Sequence, residues 1–595
     1  MRTLSPRPLL LAALLGAAGF GARALPDRGR HDLPQRAEHL EGRFKRARAL
    51  GSDLARTSTG RGPLSPEGIE RGYDVLTYDL AFELDPAVFA IAGRAAIRIS
   101  SLRDGLSEVR LDLADNMVVG SVERDGRPLT SYTASSDVLA IPLDPPLRSE
   151  ERTTLAVRWA GTPLSGGALT FWTAPSSGPA VSSLSEPFDA RTFWPSVDDP
   201  ADKAVTTVAV TVPEGYVAAS AGRGSSAPAG TGKVTWTWKL PQPIPTYLVS
   251  VAVARYATIS AEYRSLDGAR TMPVVGYVVP EHASFNRARV ASMVGHLEVL
   301  ASIFGEYPYL DTKYGIVEGS FGGGMEHPTM TLIGASLLGN ASRDLTGLLV
   351  HELAHQWWGD EVTMRTWDDI WLNEGFATYS EVLYFERTSG QAPGRLLTNL
   401  YDDGLYAGQL GPPVVAPAED PFRYTGAVYE KGAWALHMLR RAVGDETFFA
   451  SLREYRRRHE RGNATRADLR AVFEKLSGRD LKQFFDQWVE TPYRPVLRAS
   501  YRNLPDGRVE VTVRQAQTHP VVHPEPGPGD TSHYRFLLAL RVFSATSAAS
   551  TLVVDVTKAE EAFTLPAPGG LPAVALVLDP DGDLLKIVEA TGPGF

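Results

Sequence analysis

Two histidines and two glutamates in the second half of the chain have the types and the spacing of a metal-dependent hydrolytic site. His351 and His355 stand four residues apart with Glu352 between them, and Glu374 follows in the next predicted helix. Histidines at this spacing lie on one face of a helix, so both imidazoles can bind one ion. A third ligand from Glu374 leaves one coordination position open for water, as in a catalytic zinc site. Glu352 projects beside the same face and can accept a proton from that water.

A buried helix that holds these residues only for packing is the alternative interpretation. The flanking residues favour zinc, because the apolar run 345–350 precedes the motif and Gln356-Trp357-Trp358 follows it. A helix this apolar has little other reason to hold two histidines and a glutamate. The metzincin ligand set is excluded, because Trp358 and Glu361 occupy the positions of its glycine and third histidine.

Helical periodicity extends over much of the chain around this motif. It predicts helices at 287–304, 345–358, 432–441, 466–476 and 481–488. The segment that carries Glu374 begins at Thr366 with a capping-type start. Asp368 or Asp369 there is predicted either to cap the helix or to orient a zinc-bound imidazole.

Composition excludes several classes of function. A chain of 595 residues is too long for one core and predicts about three or four domains. The net charge is −9 and no basic helix face stands out, which argues against nucleic-acid binding. The chain has no cysteine, so disulfides and thiol catalysis are excluded and a metal site must use histidine and carboxylates.

The first residues have the pattern of a secretory signal. Arg2 and Arg7 precede the apolar run 9–20, and Ala22-Arg23-Ala24 offers a cleavage site. We therefore predict a signal peptide at 1–24, a polar tether at 25–65, and an exported protein in the periplasm or outside the cell. A retained membrane anchor is the alternative, although the run is short for a span. No stable membrane span is expected after cleavage.

The rest of the chain predicts a multidomain α+β protein. Short alternating runs, such as 74–82, 95–99, 206–212 and 247–253, indicate an N-terminal antiparallel β domain at 66–260. Helical periods indicate a mostly helical catalytic domain at 261–495. Alternation returns at 508–513 and 534–543, which predicts a C-terminal β-sandwich at 496–595.

Four separate segments carry motifs that occur together. They are Glu186-Pro187-Phe188-Asp189-Ala190-Arg191, Gly323-Gly324-Met325-Glu326-His327, the HExxH segment with Asn373-Glu374-Gly375-Phe376-Ala377, and Tyr429-Glu430-Lys431-Gly432. Together they resemble the "GAMEN" gluzincin family of zinc aminopeptidases, which are aminopeptidase N-like members of the leukotriene-epoxide hydrolase superfamily. The resemblance covers about residues 70 to 495. It implies a thermolysin-like catalytic domain, with the active site between that domain and the β domain before it.

The resemblance also implies the activity, which is removal of residues one at a time from peptides that have a free N-terminal amine. One Zn²⁺ per chain would be held by the two histidines and Glu374. Glu352 would be the general base. Tyr429 would stabilise the oxyanion that forms at the scissile carbonyl, with Tyr424 as a weaker second candidate.

Substrate binding is assigned by the same resemblance. Glu326 and Glu186 would hold the substrate amine, since charge-assisted hydrogen bonds suit an ammonium group. An exposed salt bridge is the alternative for Glu186. Gly323, Gly324 and Met325 would form an edge strand that pairs with an extended peptide.

The sequence departs from the family pattern at two places. His327 stands where the family usually has asparagine, and Leu184-Ser185-Glu186 replaces the usual Gln-x-Glu. Two rival functions are retained. One is a catalytically dead relative that serves as a binding or scaffold module. The other is an epoxide-hydrolase-like bifunctional enzyme, whose C-terminal region would be helical.

Overall fold

A computed structural model of the protein describes residues 71–401, 411–518 and 533–593. The predicted signal peptide at 1–24 and the tether at 25–65 lie outside these ranges. Within the described ranges, no helix combines the length and the apolar character needed to cross a membrane.

Strands form the first part of the described chain. In β1 (Tyr73–Glu83) buried and exposed side chains largely alternate, because successive residues of a strand point to opposite faces. The strands that follow are β2 (Ile91–Ser101), β3 (Leu106–Asp112), β4 (Met117–Arg124), β5 (Arg127–Leu129), β6 (Thr133–Ser135), β7 (Val138–Leu147), β8 (Arg152–Gly161), β9 (Leu169–Ala174), β10 (Gly178–Ser183), β11 (Lys203–Pro213), β12 (Val217–Ala219), β13 (Arg223–Pro228), β14 (Lys233–Pro245) and β15 (Ala252–Ala254).

These strands form three sheets among the described residues. The largest has the order β13-β14-β11-β1-β2-β8-β4-β5, in which β1 is antiparallel to β2 and parallel to β11. The other two have the orders β12-β15-β10-β9 and β3-β7-β6. Strand β10 leads directly into the segment that carries Glu186.

A further sheet begins the second region. Its order is β16-β17-β18-β20-β19, with β16 (Ala257–Arg264), β17 (Thr271–Val278), β18 (Tyr314–Gly319), β19 (Gly324–Met325) and β20 (Thr331–Gly334). The short strand β19 lies at the edge of this sheet and is antiparallel to β20. The predicted boundary at 260/261 falls inside β16.

Helices make up most of the second region. They are α1 (Ala283–Phe304), α2 (Ala335–Leu338), α3 (Thr346–Ala354), α4 (Trp371–Ser389), α5 (Pro393–Tyr401), α6 (Gly432–Val443), α7 (Asp445–His459), α8 (Arg466–Ser477) and α9 (Lys482–Phe485), with π-helical turns at Ala427–Lys431 and Asp486–Glu490. Short 3-10 turns lie at Ala190–Thr192, Thr246–Leu248, Pro280–His282, Trp367–Asp369 and Pro568–Gly570, and the strand pair β21 (Thr363–Met364) and β22 (Asn463–Ala464) joins two loops. Helix α3 is buried along almost its whole length and packs against α4.

Strands return at the end of the described chain. They are β23 (Val496–Asn503), β24 (Arg508–Gln515), β25 (Phe536–Ser544), β26 (Ala549–Val556), β27 (Glu560–Pro566), β28 (Ala573–Leu578) and β29 (Ile587–Pro593). They form two sheets with the orders β27-β24-β23-β29 and β26-β25-β28. The predicted fold class, a β domain followed by a helical region and terminal strands, is confirmed.

Two predicted elements differ from the structure. The predicted strand 247–253 is a 3-10 turn followed by the short strand β15, although the whole run is buried. The run is apolar because it is buried in the fold. An apolar run by itself does not distinguish a strand from a buried turn. Helix α3 ends at Ala354 rather than at residue 358, because the chain turns there toward Gly359, whose φ is +131°.

Two lysines join the first region to the second. Lys203 in β11 donates hydrogen bonds to carbonyls of the helical region, and Lys313, beside β18, donates to carbonyls of the first region. The acceptors are Asp360, Glu361 and Gly462 for Lys203, and Ser220 and Gly222 for Lys313, at 2.7–3.2 Å. These contacts fix the β region against the helices that carry the predicted metal ligands.

Candidate active site

Helices α3 and α4 bring the three predicted metal ligands to one point. His351 lies on α3, His355 follows at its C-terminal end, and Glu374 lies in the first turn of α4. Glu374 Oε2 is 3.1 Å from His351 Nε2 and 3.3 Å from His355 Nε2. In the described residues one further metal-holding group, Glu326 with Glu352 and His355, satisfies the same distance limits. Because it shares His355, both groups belong to one site.

The other nitrogen of each imidazole is also bound. His351 Nδ1 lies 2.8 Å from Glu381 Oε1, and His355 Nδ1 lies 3.0 Å from the Trp358 carbonyl. Such partners fix the tautomer, so that Nε2 of each ring faces the metal position. Sequence analysis missed Glu381. It stands two helical turns after Glu374, on the same face of α4, and that spacing was the available signal.

Zn²⁺ fits this arrangement in distance and in charge. Tetrahedral zinc with nitrogen and oxygen ligands places the ligand atoms about 3.4 Å apart, close to the separations observed here. Burial by itself lowers the pKa of His355, but the charges of Glu326 and Glu374 raise it to about 10. The site therefore favours a positive charge at this position, which a bound cation supplies.

Glu352 lies between the ligands and the edge strand β19. Its side chain is 2% exposed. A Cβ on Gly324 would lie 2.5 Å from Glu352 Oε1, so only glycine permits this close approach. The carboxylate of Glu352 is thus held against the strand that was predicted to bind the peptide backbone.

Tyr429 reaches the same point from the π-helical turn at Ala427–Lys431. Its hydroxyl donates a hydrogen bond of 2.7 Å to Glu374 Oε1, and its ring stacks on His351 with centroids 6.0 Å apart. π-helical turns are often found at functional sites. Tyr424 is 39% exposed, so Tyr429 is the tyrosine that lies at the metal position.

Two further carboxylates lie near each other, one from the β region and one from the helical region. Glu326 follows β19 and Glu186 follows β10, and each is 2% exposed. Burial raises the pKa of Glu186 well above its ordinary value, and the negative charge of Glu326 raises it further. The alternative of an exposed salt bridge for Glu186 is therefore wrong. An ammonium group placed between these carboxylates would relieve their repulsion.

His327 is buried beside Glu326. Neither ring nitrogen has a hydrogen-bond partner among the described residues, and burial lowers the pKa of the ring to about 3. The imidazole is therefore neutral at neutral pH. It belongs to neither of the metal-holding groups found in the described residues.

Gln356, just after the end of α3, connects this part of the chain to the loop that carries Glu326. Its Nε2 donates to the Glu326 carbonyl at 2.9 Å and to Asp360 Oδ2 at 2.8 Å, and its Oε1 accepts from the Thr329 amide at 2.7 Å. Sequence analysis gave Gln356 no role. A glutamine directly after the second histidine, in an otherwise apolar run, was the available signal.

Neither predicted role of Asp368 and Asp369 is found. No side chain caps α4, and the imidazoles are oriented by Glu381 and Trp358 instead. Both aspartates accept hydrogen bonds from Arg466 on α8, each at 3.0 Å. Their role is to join two loops, which local spacing could not indicate because Arg466 is distant in sequence.

The two regions that form this site each match a domain model of the same peptidase family. "Peptidase M1 N-terminal domain" matches residues 75–248, and "Peptidase family M1 domain" matches residues 290–488. Aminopeptidase N of Streptomyces lividans is 30% identical over 342 residues, which are 54% of this chain and 39% of that protein. The chain spans well under half the length of the curated relatives it matches.

Solved structures extend the comparison. A crystal structure of an M1 zinc metallopeptidase from Deinococcus radiodurans has a TM-score of 0.63 and 29% identity, and the match covers 72% of this chain and 95% of that one. Legionella pneumophila aminopeptidase A in complex with aspartic acid has a TM-score of 0.73 at 18% identity, over 87% of this chain and 60% of that one, which is a likeness in fold. With its zinc-fitting ligands and the two family matches that cover most of the chain, the protein belongs to the M1 family of zinc peptidases, as its motifs indicated.

Proposed function

We propose that this protein is a zinc-dependent aminopeptidase that hydrolyses the first peptide bond of peptides with a free N-terminal amine. One observation carries the proposal. A buried pair of acids, Glu186 and Glu326, lies beside a three-ligand metal position that has its own base. The aminopeptidase names of its relatives support it. When bound, zinc would act as a Lewis acid toward the attacking water and the scissile carbonyl.

Side chains of the protein carry out the other steps of the reaction. Glu352 accepts the proton of the attacking water and returns it to the leaving amine. The Tyr429 phenol can donate a hydrogen bond to the oxygen that becomes negative in the transition state. A donor of this kind is worth about 3 kcal/mol.

Glu186 and Glu326 make the enzyme an exopeptidase. They sit in a buried site, where a protonated amine can satisfy both carboxylates and an internal peptide segment cannot. The substrate backbone would pair with the edge strand that contains Gly324 and Met325, after the bend at Gly323.

The two rival functions are less well supported. A dead relative would have no need to keep the ligands, the base and Tyr429 converging at one point. The epoxide-hydrolase-like rival predicted a helical C-terminal region, whereas the described residues after 495 form strands.

We also propose that the protein is exported to the periplasm or beyond. Support comes from the basic, apolar and small-residue pattern of the first 24 residues. We also propose three domains at 66–260, 261–495 and 496–595, of which the first boundary falls inside strand β16.

The test compares free and N-acetylated aminoacyl nitroanilides. The wild type should cleave the acetylated forms at least about a hundredfold more slowly, because acetylation removes the charge that two buried carboxylates bind. Glu326→Ala should lower kcat/KM on free-amine substrates by a similar factor. It should leave the residual rate on acetylated substrates and the zinc content unchanged.

Glu352→Gln is the matched control. It should keep about one zinc per chain and lose nearly all turnover, because this carboxylate acts as the base and not as a ligand. Equal cleavage of free and acetylated substrates by the wild type would indicate an endopeptidase. A zinc-loaded wild type that cleaves nothing would favour the scaffold module.

A further inference from the structure

We propose that a groove beside the amino end of β19 binds the peptide residues that follow the scissile bond and selects uncharged side chains there. The groove lies between the β region and the helical region. This inference rests on the proposed aminopeptidase function and deepens it, because it names the class of peptide that the site takes.

The groove consists of two cavities that share walls. The first has a volume of about 400 Å³ and is lined by Trp172, Leu184, Ser320, Phe321 and Gly322, among others. The second has a volume of about 650 Å³. Trp172, Ala335 and Ser336 line both, so the two cavities adjoin, and together they are called here the Trp172 groove.

The Trp172 groove begins next to the catalytic centre. Leu184 stands two residues before Glu186, and Gly322 stands two residues before Gly324. Gly324 in turn lies against Glu352. A substrate whose first peptide bond is at Glu352 is therefore at the entrance of the groove.

The direction of the substrate follows from the edge strand. The Gly323 carbonyl accepts from the Gly334 amide at 2.9 Å, so Gly323 faces β20. Alternate residues of a strand face opposite sides, which directs the amide and carbonyl of Gly324 to the outer edge. A peptide that starts at Glu326 and pairs with this edge must run antiparallel to β19, back toward Gly322.

The reach of the substrate can be estimated from strand geometry. Phe321 on the groove wall precedes Gly324 by three residues, a path of at most about 10 Å, because a fully extended residue advances about 3.3 Å. The third and fourth residues of the substrate would then lie in the Trp172 groove. The first two residues would lie over the metal position and its base.

The walls determine which side chains are accepted. None of the residues that line either cavity is Asp, Glu, Lys or Arg. The titratable side chain among them is His282, whose Nδ1 is bound at 2.7 Å to Glu318. The rings of Trp172 and Phe321 offer apolar contact. A charged side chain in this open groove would meet no opposite charge on the walls, whereas an apolar side chain would gain contact with the two rings.

The test uses pentapeptides Leu-Ala-X-X-Ala in which X is Phe, Ala, Asp or Lys. For the wild type, kcat/KM should be at least tenfold higher with Phe or Ala than with Asp or Lys. Ser320 lines the groove and is exposed, so its side chain can be exchanged for a charge. Ser320→Lys should raise the ratio of the Asp peptide to the Lys peptide at least tenfold, and Ser320→Asp should lower it at least tenfold.

Ser226→Lys is the matched control, because Ser226 is exposed on β13 and does not line the groove. It should leave all peptide ratios within twofold of the wild type. Dissociation constants of the same peptides for Glu352→Gln, measured by calorimetry, report the groove without turnover. The same ranking there would support the groove even if the wild type proved inactive. The proposal would be overturned if all four peptides bound and reacted equally well. It would also be overturned if the ratio of the Asp peptide to the Lys peptide did not change with the charge at residue 320.

Discussion

The two carboxylate oxygens of Glu374 have different partners. Oε2 faces both imidazoles, at 3.1 and 3.3 Å, while Oε1 accepts the hydrogen bond of Tyr429 at 2.7 Å. The Tyr429 hydroxyl therefore contacts the Glu374 oxygen that does not face the imidazoles. Its loss should affect the reaction more than the binding of the metal.

We expect Tyr429→Phe to lower kcat roughly a hundredfold with little change in KM, because the phenol acts mainly in the transition state. Zinc content should stay near that of the wild type, since Glu374 Oε2 is the oxygen that faces the histidines. Steady-state kinetics with metal analysis of the same sample would check this. A variant whose only defect is a raised KM would assign Tyr429 to substrate binding.

Glu381 affects the metal through His351. We expect Glu381→Ala to weaken zinc affinity about 10–100-fold, because His351 Nδ1 loses its partner. Glu381→Gln keeps a hydrogen-bonding oxygen and should have a smaller effect. Competition with a chromogenic chelator would measure the affinities.

Glu386→Ala is the control for Glu381, because Glu386 lies on the same helix but pairs with Arg440 at 2.8 Å. It should leave zinc affinity unchanged. Equal losses of zinc affinity in the Glu381 and Glu386 variants would mean that α4 had been disturbed as a whole.

At the scale of elements, helix α1 packs against α4 through a buried histidine. His296 on α1 bonds through Nδ1 to the Tyr384 hydroxyl on α4 at 2.9 Å, and its Nε2 has no partner in the described residues. Burial lowers the pKa of His296 to about 4, against the opposing charge of Asp344. The helix that supplies Glu374 and Glu381 is thus held by a neutral histidine.

We expect acid to weaken this contact. Between pH 6.5 and 4 the unfolded chain binds a proton at His296 and the folded chain does not, so the free energy of unfolding falls as pH falls. The full effect is about 3 kcal/mol. Urea unfolding of the wild type and of His296→Leu at pH 7, 6 and 5 would isolate it, because the two proteins share every other titrating group. A difference in stability that stays constant across this pH range would contradict the expectation.

At the scale of the molecule, the site exists only where two regions meet. The β region supplies Glu186, and the helical region supplies the metal ligands. Lys203 and Lys313 hold the two regions together through backbone carbonyls. The residues that would hold zinc come from two helices that meet only in the folded chain, so a bound ion should stabilise the fold.

We expect removal of zinc by a chelator to lower the Tm by several degrees. A ligand bound only by the folded chain stabilises it by about 4 kcal/mol at a thousandfold excess over Kd. Calorimetric scans at one fixed rate, with and without chelator and after zinc is restored, would measure the shift. Glu374→Ala should already have the low Tm and should not respond to the chelator. A wild-type Tm that ignores the chelator would show that the metal does not stabilise the fold.

Much of the site could be predicted from the sequence because its chemistry is local. His351, Glu352 and His355 share one helical face through their spacing alone. The close approach of Gly324 to Glu352, in contrast, is visible only in the structure. The alternation of β1 and the periodicity of α1 likewise reflect which faces are buried. The short elements were harder to predict. The 3-10 turn at Thr246–Leu248 was predicted as a strand, because an apolar run indicates that residues are buried but not which backbone conformation they adopt.

By itself, the sequence indicated the metal, the family and Glu352 as the proposed base, since these depend on residue types at short spacing. The tertiary structure decided which distant side chains complete them. Glu381 as the partner of His351, Gln356 as the link to the Glu326 loop, and the burial of Glu186 all depend on how separate elements pack. The Trp172 groove is also a feature that only the tertiary structure decided. Its walls come from strands and loops that are far apart in the chain, and no local sequence pattern indicates that these segments are in contact.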